Sequence, residues 1–322
     1  MAFNLEKDII ESLRQKTQHT GEIPGLGIGD DAAFLTISSM EHNKLVVATD
    51  SLVEGIHFRS DWCSWSDVAA KLFEVNASDL LVKGALPAWA LLVMNVTPEF
   101  AADEKGRDLF TLELANKFRN HNVALIGGDI TASSINTFTL TLFASSQYFV
   151  PRKAEELVAG DIVVISGRVG GSSYALSLLQ DGKPGDESAL SAYRRPEARW
   201  KNRWLHELSA KASIDHSDSL HETFFTLAEQ NRSALEIDLS QVPLAPPLQS
   251  LSDTEKITAV LTCAEDLAQV GILPPQAEDK LDKYSLVKIG QVGNVTKPEL
   301  MYKDFSGKTV DVNSLSFFSH FE

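Results

Sequence analysis

The chain has 322 residues, a 43% hydrophobic fraction and a net charge of -15. The length suggests about two domains, and the apolar content argues against a disordered chain. The acidity argues against nonspecific binding to nucleic acid or anionic membrane, both of which need a basic surface. Cys63 and Cys263 are far apart and in no metal-ligand spacing, so they read as reduced thiols of a cytoplasmic protein. The opening MAFNLEKDIIESLRQK lacks the apolar stretch of a signal peptide, and the longest apolar run, near AWALLVM, is too short to span a bilayer.

In chain order, Asn4 caps a predicted helix with Leu5, Ile9 and Leu13 on its apolar face. Gly25, Gly27 and Gly29 form a turn before a short strand, where the backbone can approach a ligand closely. KLVVATDSL predicts a strand ending at Asp50. Ser66 opens a helix to about Lys83, with Gly84 and Pro87 as stops. Asn76, Asp79 and Lys83 share one face of it, either a solvated stripe or the wall of a site. Lys71 and Lys83 could neutralise phosphate charge, but read more simply as surface lysines.

AWALLVMNV predicts a strand buried on both faces, followed by one helix from about Pro98 to Phe118. VALIGGD reads as a strand broken by its glycines. TFTLTLFAS alternates, with Phe138, Leu140 and Leu142 on one face. SQYFVPRKAEELVAGD reads as the passage between domains 1–148 and 149–322. IVVISGRVGGSSYALSLLQ is strand, glycine turn and helix. Such a turn can cradle a phosphate. No lysine follows, so it is not a P-loop, and close packing accounts better for Gly170 and Gly171. RRPEARWKNRWLHEL reads as a solvated helix. HETFFTLAEQ is a further helix, ALEIDLSQV a strand, and Ser252 with Glu255 a capping box.

Seven aspartates in five short stretches stand out: Asp30 and Asp31 in GIGDDAA, Asp50 in LVVATDSL, Asp79 in NASD, Asp129 in LIGGDIT, and Asp215 and Asp218 in IDHSDSL. Most follow an apolar run, which places them where strands leave the core. One such aspartate is ordinarily a turn former or cap. Several, remote in sequence, repel one another unless a cation holds them or they lie far apart. Carboxylates without histidine or cysteine suit Mg²⁺ rather than zinc. The expectation is that these stretches converge on Mg²⁺ and a nucleoside triphosphate.

The ordered set GIGDDAA, ATDSLVEGIHF, LFEVNASDLLVKGALPAW, LIGGDIT, ISGRVGGSSYAL, IDHSDSL and CAED resembles the thiamine-monophosphate kinase family, a relative of aminoimidazole-ribonucleotide and selenophosphate synthetases. The resemblance runs from about Gly27 to the C-terminus. It implies an α/β fold of two domains. The N-terminal domain (1–148) would bind ATP and Mg²⁺ and form a dimer-spanning β-barrel; the C-terminal α/β domain (149–322) would complete the nucleotide and substrate site. It implies a homodimer that makes thiamine diphosphate from ATP and thiamine monophosphate.

Carried over by motif position, the metal ligands are Asp31, Thr49, Asp50, Asp79, Asp129, Asp215 and Asp218. Asp30, Gly128, Asp129, Arg152 and Ser217 would contact ATP. His57, Glu265 and Phe318 would contact substrate; without the resemblance, His57 reads as an ordinary partly buried histidine, and Phe318 equally as core. The chain departs from the family at Ser219, which replaces the glycine of Asp-x-Ser-Asp-Gly, and at Cys263 and Ala264, which replace two glycines before Glu265-Asp266. If the first glycine needs positive φ, Ser219 is strained.

The acceptor is a phosphate monoester with a second pKa of about 6, already largely dianionic. No general base is needed or evident, and the expectation is direct in-line transfer assisted by Mg²⁺. Two alternatives are a superfamily member with another acceptor and a non-catalytic Mg-nucleotide-binding homologue, the latter motivated by the altered DHSDS and CAED segments.

Overall fold

The computed structural model of the protein describes residues 12, 15, 16, 44–183, 185, 187–294, 298–312 and 315. The predicted N-terminal helix and the glycine turn at Gly25 to Gly29 lie outside the described residues but for Ser12, Gln15 and Lys16. The chain divides into two compact units, one of residues 1–80 and 85–147 and the other of 81–84 and 148–322. Among the described residues no helix is long and apolar enough to cross a membrane.

The first unit holds β1 (Lys44–Val53), α1 (Trp65–Leu81), β2 (Trp89–Val96), α2 (Pro98–Ala102), α3 (Glu104–Asn120), β3 (Ala124–Ala132) and β4 (Thr137–Ser146). Its four-stranded sheet has the order β1-β4-β2-β3. The β2–β3 pair is parallel and the other two are antiparallel. Among the described residues the sheet is open, with β1 and β3 at its edges. One face packs on the helices through Leu52, Leu92, Met94, Phe138 and Leu140. Beneath it Phe58, Trp65, Phe100, Phe110 and Phe138 form an aromatic cluster with mostly edge-to-face contacts.

Several local expectations need correction here. β2 is not buried on both faces; burial alternates along it. The long apolar run places half-buried side chains such as Leu91 and Val93 on the other face of the sheet. The predicted Pro98–Phe118 helix is two helices, because Thr97 caps the first and the Asp103 carboxylate accepts from Gly106 N at 2.9 Å to start the second. β1 continues past Asp50 to Val53, and β3 runs through its two glycines to Ala132. Gly128 is what permits this: a Cβ there would collide with the Leu92 carbonyl of β2.

The second unit contains β5 (Ile162–Ser166), α4 (Gly171–Gln180), α5 (Glu187–Arg194), α6 (Trp204–Glu207), β6 (Ala212–Asp215), α7 (Leu220–Asn231), β7 (Ala234–Asp238), α8 (Asp253–Thr262), β8 (Gln269–Leu273), β9 (Leu286–Val292) and β10 (Glu299–Lys303). Its six-stranded mixed sheet has the order β10-β7-β9-β5-β8-β6. β5 and β8 are buried throughout. Val163 and Ile165 pack with Leu220, Phe224 and Leu261 on one side. Ile162 and Val164 pack with Trp204, Leu205 and Leu281 on the other. The expected solvated helix at 194–208 is therefore wrong: this stretch is largely irregular, and Ala198, Trp204 and Leu205 are buried in it. Its many charges masked the apolar residues that anchor it.

Candidate active site

In the first unit, Asp50 lies in the middle of the edge strand β1 rather than at a strand end. Its backbone N–H donates to Asn76 Oδ1 at 2.7 Å, and Asn76 Nδ2 donates to the Leu72 carbonyl at 2.8 Å. Asn76 is wholly buried, so the stripe on α1 is not solvated. It ties α1 to β1, and half-buried Asp79 follows one turn on along the same face. α1 is buried nearly all round, which also corrects the reading of Lys71. That lysine is 1% exposed and donates to the His57 carbonyl at 3.0 Å. His57 sits in a turn closed by Gly55 at φ +85, and its Nδ1 accepts from Val53 N at 3.1 Å. In the neutral ring Nε2 then carries the proton.

Asp129 is exposed in β3, in a row with Val93, Thr139 and Ser51. Hydroxyls line this face: Thr49 pairs with Thr141 at 2.9 Å and Ser51 with Thr139 at 2.6 Å. Asp50 belongs to the neighbouring row with Leu140, Leu92 and Gly128. Alternation turns these two rows to opposite faces. Asp50 and Asp129 also lie on the two edge strands, three strand spacings apart, or about 14 Å were the sheet flat. Among the described residues, no three of the predicted aspartates bring ligand oxygens within 4.8 Å of one another.

In the second unit, Asp215 ends β6 opposite Gln269 and is buried, whereas Ser217 and Asp218 are exposed on the turn that follows. Ser219 caps α7 at φ -58, in a complete capping box with Glu222. The serine is therefore unstrained and stabilises the helix start. The CAED segment lies against this turn. His216 N donates to Ala268 O at 2.7 Å, Leu267 N to His216 O at 3.1 Å and Glu265 N to Ser217 O at 3.0 Å. Leu220 N donates to Cys263 O at 3.1 Å. Cys263, at φ -66, needs no glycine, and its thiol fills a closed space. The left-handed residues are instead Glu265 at φ +57 and Leu267 at φ +51. Strain of this kind in a non-glycine residue persists only when the surroundings over-determine it.

Asp266 organises the glycine turn. Its Oδ2 accepts from Gly170 N at 2.6 Å and its Oδ1 from Ser172 N at 2.9 Å. The helix N-terminus that can cradle a phosphate thus already holds an internal carboxylate. Arg199 lies beside it and donates to the Asp266 carbonyl at 3.4 Å. Burial lowers the Arg199 pKa, and the Asp266 charge opposes that shift. Burial raises the Cys263 thiol well above its ordinary value. Lys83 is half-buried and donates to the Ser213 carbonyl at 2.5 Å, so it too is not a surface lysine. Arg152 is exposed, with its carbonyl accepting from Asn231 at 3.0 Å.

Asp30, Asp31 and Phe318 lie outside the described residues. Sequence reasoning missed the structural roles of Asn76, His216, Arg199 and Asp266. Asp266 had a signal, since it stands beside Glu265 in CAED; His216 and Arg199 had none in spacing or periodicity.

The model of the AIR synthase related protein N-terminal domain matches residues 29–146. The thiamine-monophosphate kinase of Leptospira interrogans is 30% identical over 274 residues, covering 83% of this chain and 87% of that protein. The crystal structure of thiamine-monophosphate kinase from Stenotrophomonas maltophilia K279a superposes with a TM-score of 0.79 at 27% identity, covering 91% of this chain and 95% of that one. The structure of AaThiL complexed with AMPPCP and TMP superposes with a TM-score of 0.73 at 25% identity, covering 95% of this chain and 94% of that one. With the Leptospira interrogans relative at 30% identity and the mixed α/β fold shared with solved members, the chain belongs to the thiamine-monophosphate kinase family.

Proposed function

We propose that the protein transfers the γ-phosphoryl group of ATP directly to thiamine monophosphate, giving thiamine diphosphate. The observation that carries this reading is the family match over most of the chain, joined by a relative solved with AMPPCP and TMP. The proposed metal ligands are Asp31, Thr49, Asp50, Asp79, Asp129, Asp215 and Asp218; the ATP contacts are Asp30, Gly128, Asp129, Arg152 and Ser217; the substrate contacts are His57, Glu265 and Phe318. Exposed carboxylates beside hydroxyls and main chain form a hard-oxygen donor set, which fits Mg²⁺. Bound Mg²⁺ would screen phosphate charge. Dispersed acids suit several ions along a triphosphate better than one ion held by all of them.

This chain's residues orient rather than exchange protons. Asn76 fixes the backbone of Asp50, and Gly128 lets β3 carry Asp129 past β2. The acceptor phosphate is already ionised, so transfer is in line without a general base. Residues 1–148 would bind Mg-ATP and mediate dimerisation, and 149–322 would supply further nucleotide and substrate contacts. The edge strand β1, with Leu45 44% and Val47 49% exposed, supports a homodimer whose barrel spans two copies. Both cysteines are buried and in no disulfide among the described residues, in keeping with a cytoplasmic setting.

The test is purified protein with Mg-ATP and thiamine monophosphate, with thiamine diphosphate read by chromatography. Asp129→Asn is expected to lose at least about 100-fold in turnover. Absence of product from the unaltered chain would overturn the activity, and normal turnover by Asp129→Asn would overturn the metal assignment.

A further inference from the structure

His216, Cys263 and Asp266 meet in the second unit, on the segments that also carry Asp215, Ser217 and Glu265, but are none of the residues assigned above. One ligand atom from each lies within 4.8 Å of the other two, and all three side chains are buried. Cys263 Sγ is 3.7 Å from His216 Nε2. His216 Nδ1 is 3.9 Å from Asp266 Oδ2. The imidazole is wholly buried, and its Nδ1 has no hydrogen-bond partner among the described residues. Its other nitrogen is 2.9 Å from the Cys263 carbonyl, so Nε2–H donates and Nδ1 carries the free lone pair. A histidine anchored through one nitrogen on a backbone carbonyl, with the other 3.9 Å from a buried carboxylate and a thiol beside the ring, resembles the arrangement of a metal-binding imidazole.

We infer that His216, Cys263 and Asp266 form a site for a zinc-type divalent cation, separate from the magnesium-binding carboxylates. The donors would be His216 Nδ1, Cys263 Sγ and a carboxylate oxygen of Asp266. One nitrogen, one sulfur and one oxygen select zinc over magnesium. Usual zinc bond lengths give donor separations of roughly 3.3–3.7 Å, so ligand atoms that lie within 4.8 Å of one another need to contract by at most about 1.5 Å. Each Asp266 oxygen keeps a lone pair beyond those taken by Gly170 N and Ser172 N, and the glycine turn stays clamped. Cys263 would bind as thiolate. Its proton, now shared with the Val260 carbonyl at 3.0 Å, would leave to solvent, one for each metal bound. Three protein donors leave the fourth position to water. The metal would tie IDHSDSL to CAED more firmly than their backbone bonds do.

The test uses the full chain with excess Mg²⁺, which saturates the carboxylate sites, and Co²⁺ as the probe. The expected result is one Co²⁺ per chain with a thiolate-to-cobalt charge-transfer band, displaced by one equivalent of Zn²⁺. Cys263→Ala and His216→Leu should lose the band and bind Zn²⁺ at least about tenfold more weakly against a chromophoric chelator. Cys63→Ala should keep the band. A folded unaltered chain with no such band would overturn the inference, as would a band that survives Cys263→Ala. Should the variants fail to fold, the spectrum of the unaltered chain still decides. Kinase turnover enters none of these readouts, so the site and the proposed activity stand or fall separately.

Discussion

The two units carry their acidic residues by different means. In the first, Asp50 and Asp129 sit within regular strands and Asp79 within a regular helix, so register and helical pitch place them. In the second, Asp218 and Glu265 lie on irregular backbone held by a ladder of cross-bonds, with Glu265 and Leu267 in the left-handed region. Regular elements position a side chain through pairings shared with the whole sheet, so a local change spreads. An irregular segment is positioned by a few specific bonds, and its changes stay local. That difference can be broken or sharpened experimentally.

The largest effect is expected from Gly128→Ala. Its methyl group has no room against the β2 carbonyl, so β3 must separate from β2, costing about 3 kcal/mol. Hydrogen exchange should show protection lost across β2 and β3 but kept in β5 and β8; unchanged exchange in β3 would refute the close-approach argument. Asp266→Ala comes next. It strips the Gly170 and Ser172 amides of their acceptor and should cost about 2 kcal/mol, with exchange rising at the glycine turn alone. Ser219→Ala removes the cap of α7 and should cost about 1 kcal/mol by denaturant titration. If Ser219→Gly proved more stable than the unaltered chain, the capping argument would fail. Glu265→Gly relieves a left-handed residue and should raise stability by up to about 1 kcal/mol while lowering turnover, separating strain from function.

The smallest effect is one of pH. His121 stacks on Phe73 in the first unit, and His221 accepts or donates at 2.9 Å to Tyr302 in the second. Burial lowers both pKa values. The unfolded histidines therefore bind protons first as pH falls. Stability is full above the ordinary histidine range and declines as pH drops through it towards the lower folded values. His121→Gln should flatten this slope for the first unit only and His221→Gln for the second only, as read by pH-dependent hydrogen exchange.

What could be read in advance follows the same division. Alternation in TFTLTLFAS announced β4, and Ser252 with Glu255 announced the start of α8, because pattern and cap are local properties. Gly-Gly-Asp was misread as a strand end. Glycine usually punctuates, and only the Leu92 carbonyl beside Gly128 shows that it serves close pairing here. Lys71 departs from its surface reading because nothing local says that helix α1 is covered on nearly every side.

The sequence by itself determined the family, the α/β character and which carboxylates are candidates, since these reside in residue order and chemistry. Only the tertiary structure decided that Ser219 is a cap, that Asp266 occupies the helix terminus otherwise open to phosphate, and that His216 and Cys263 meet. Those outcomes depend on which backbone groups distant segments bring together, and no spacing along the chain encodes that.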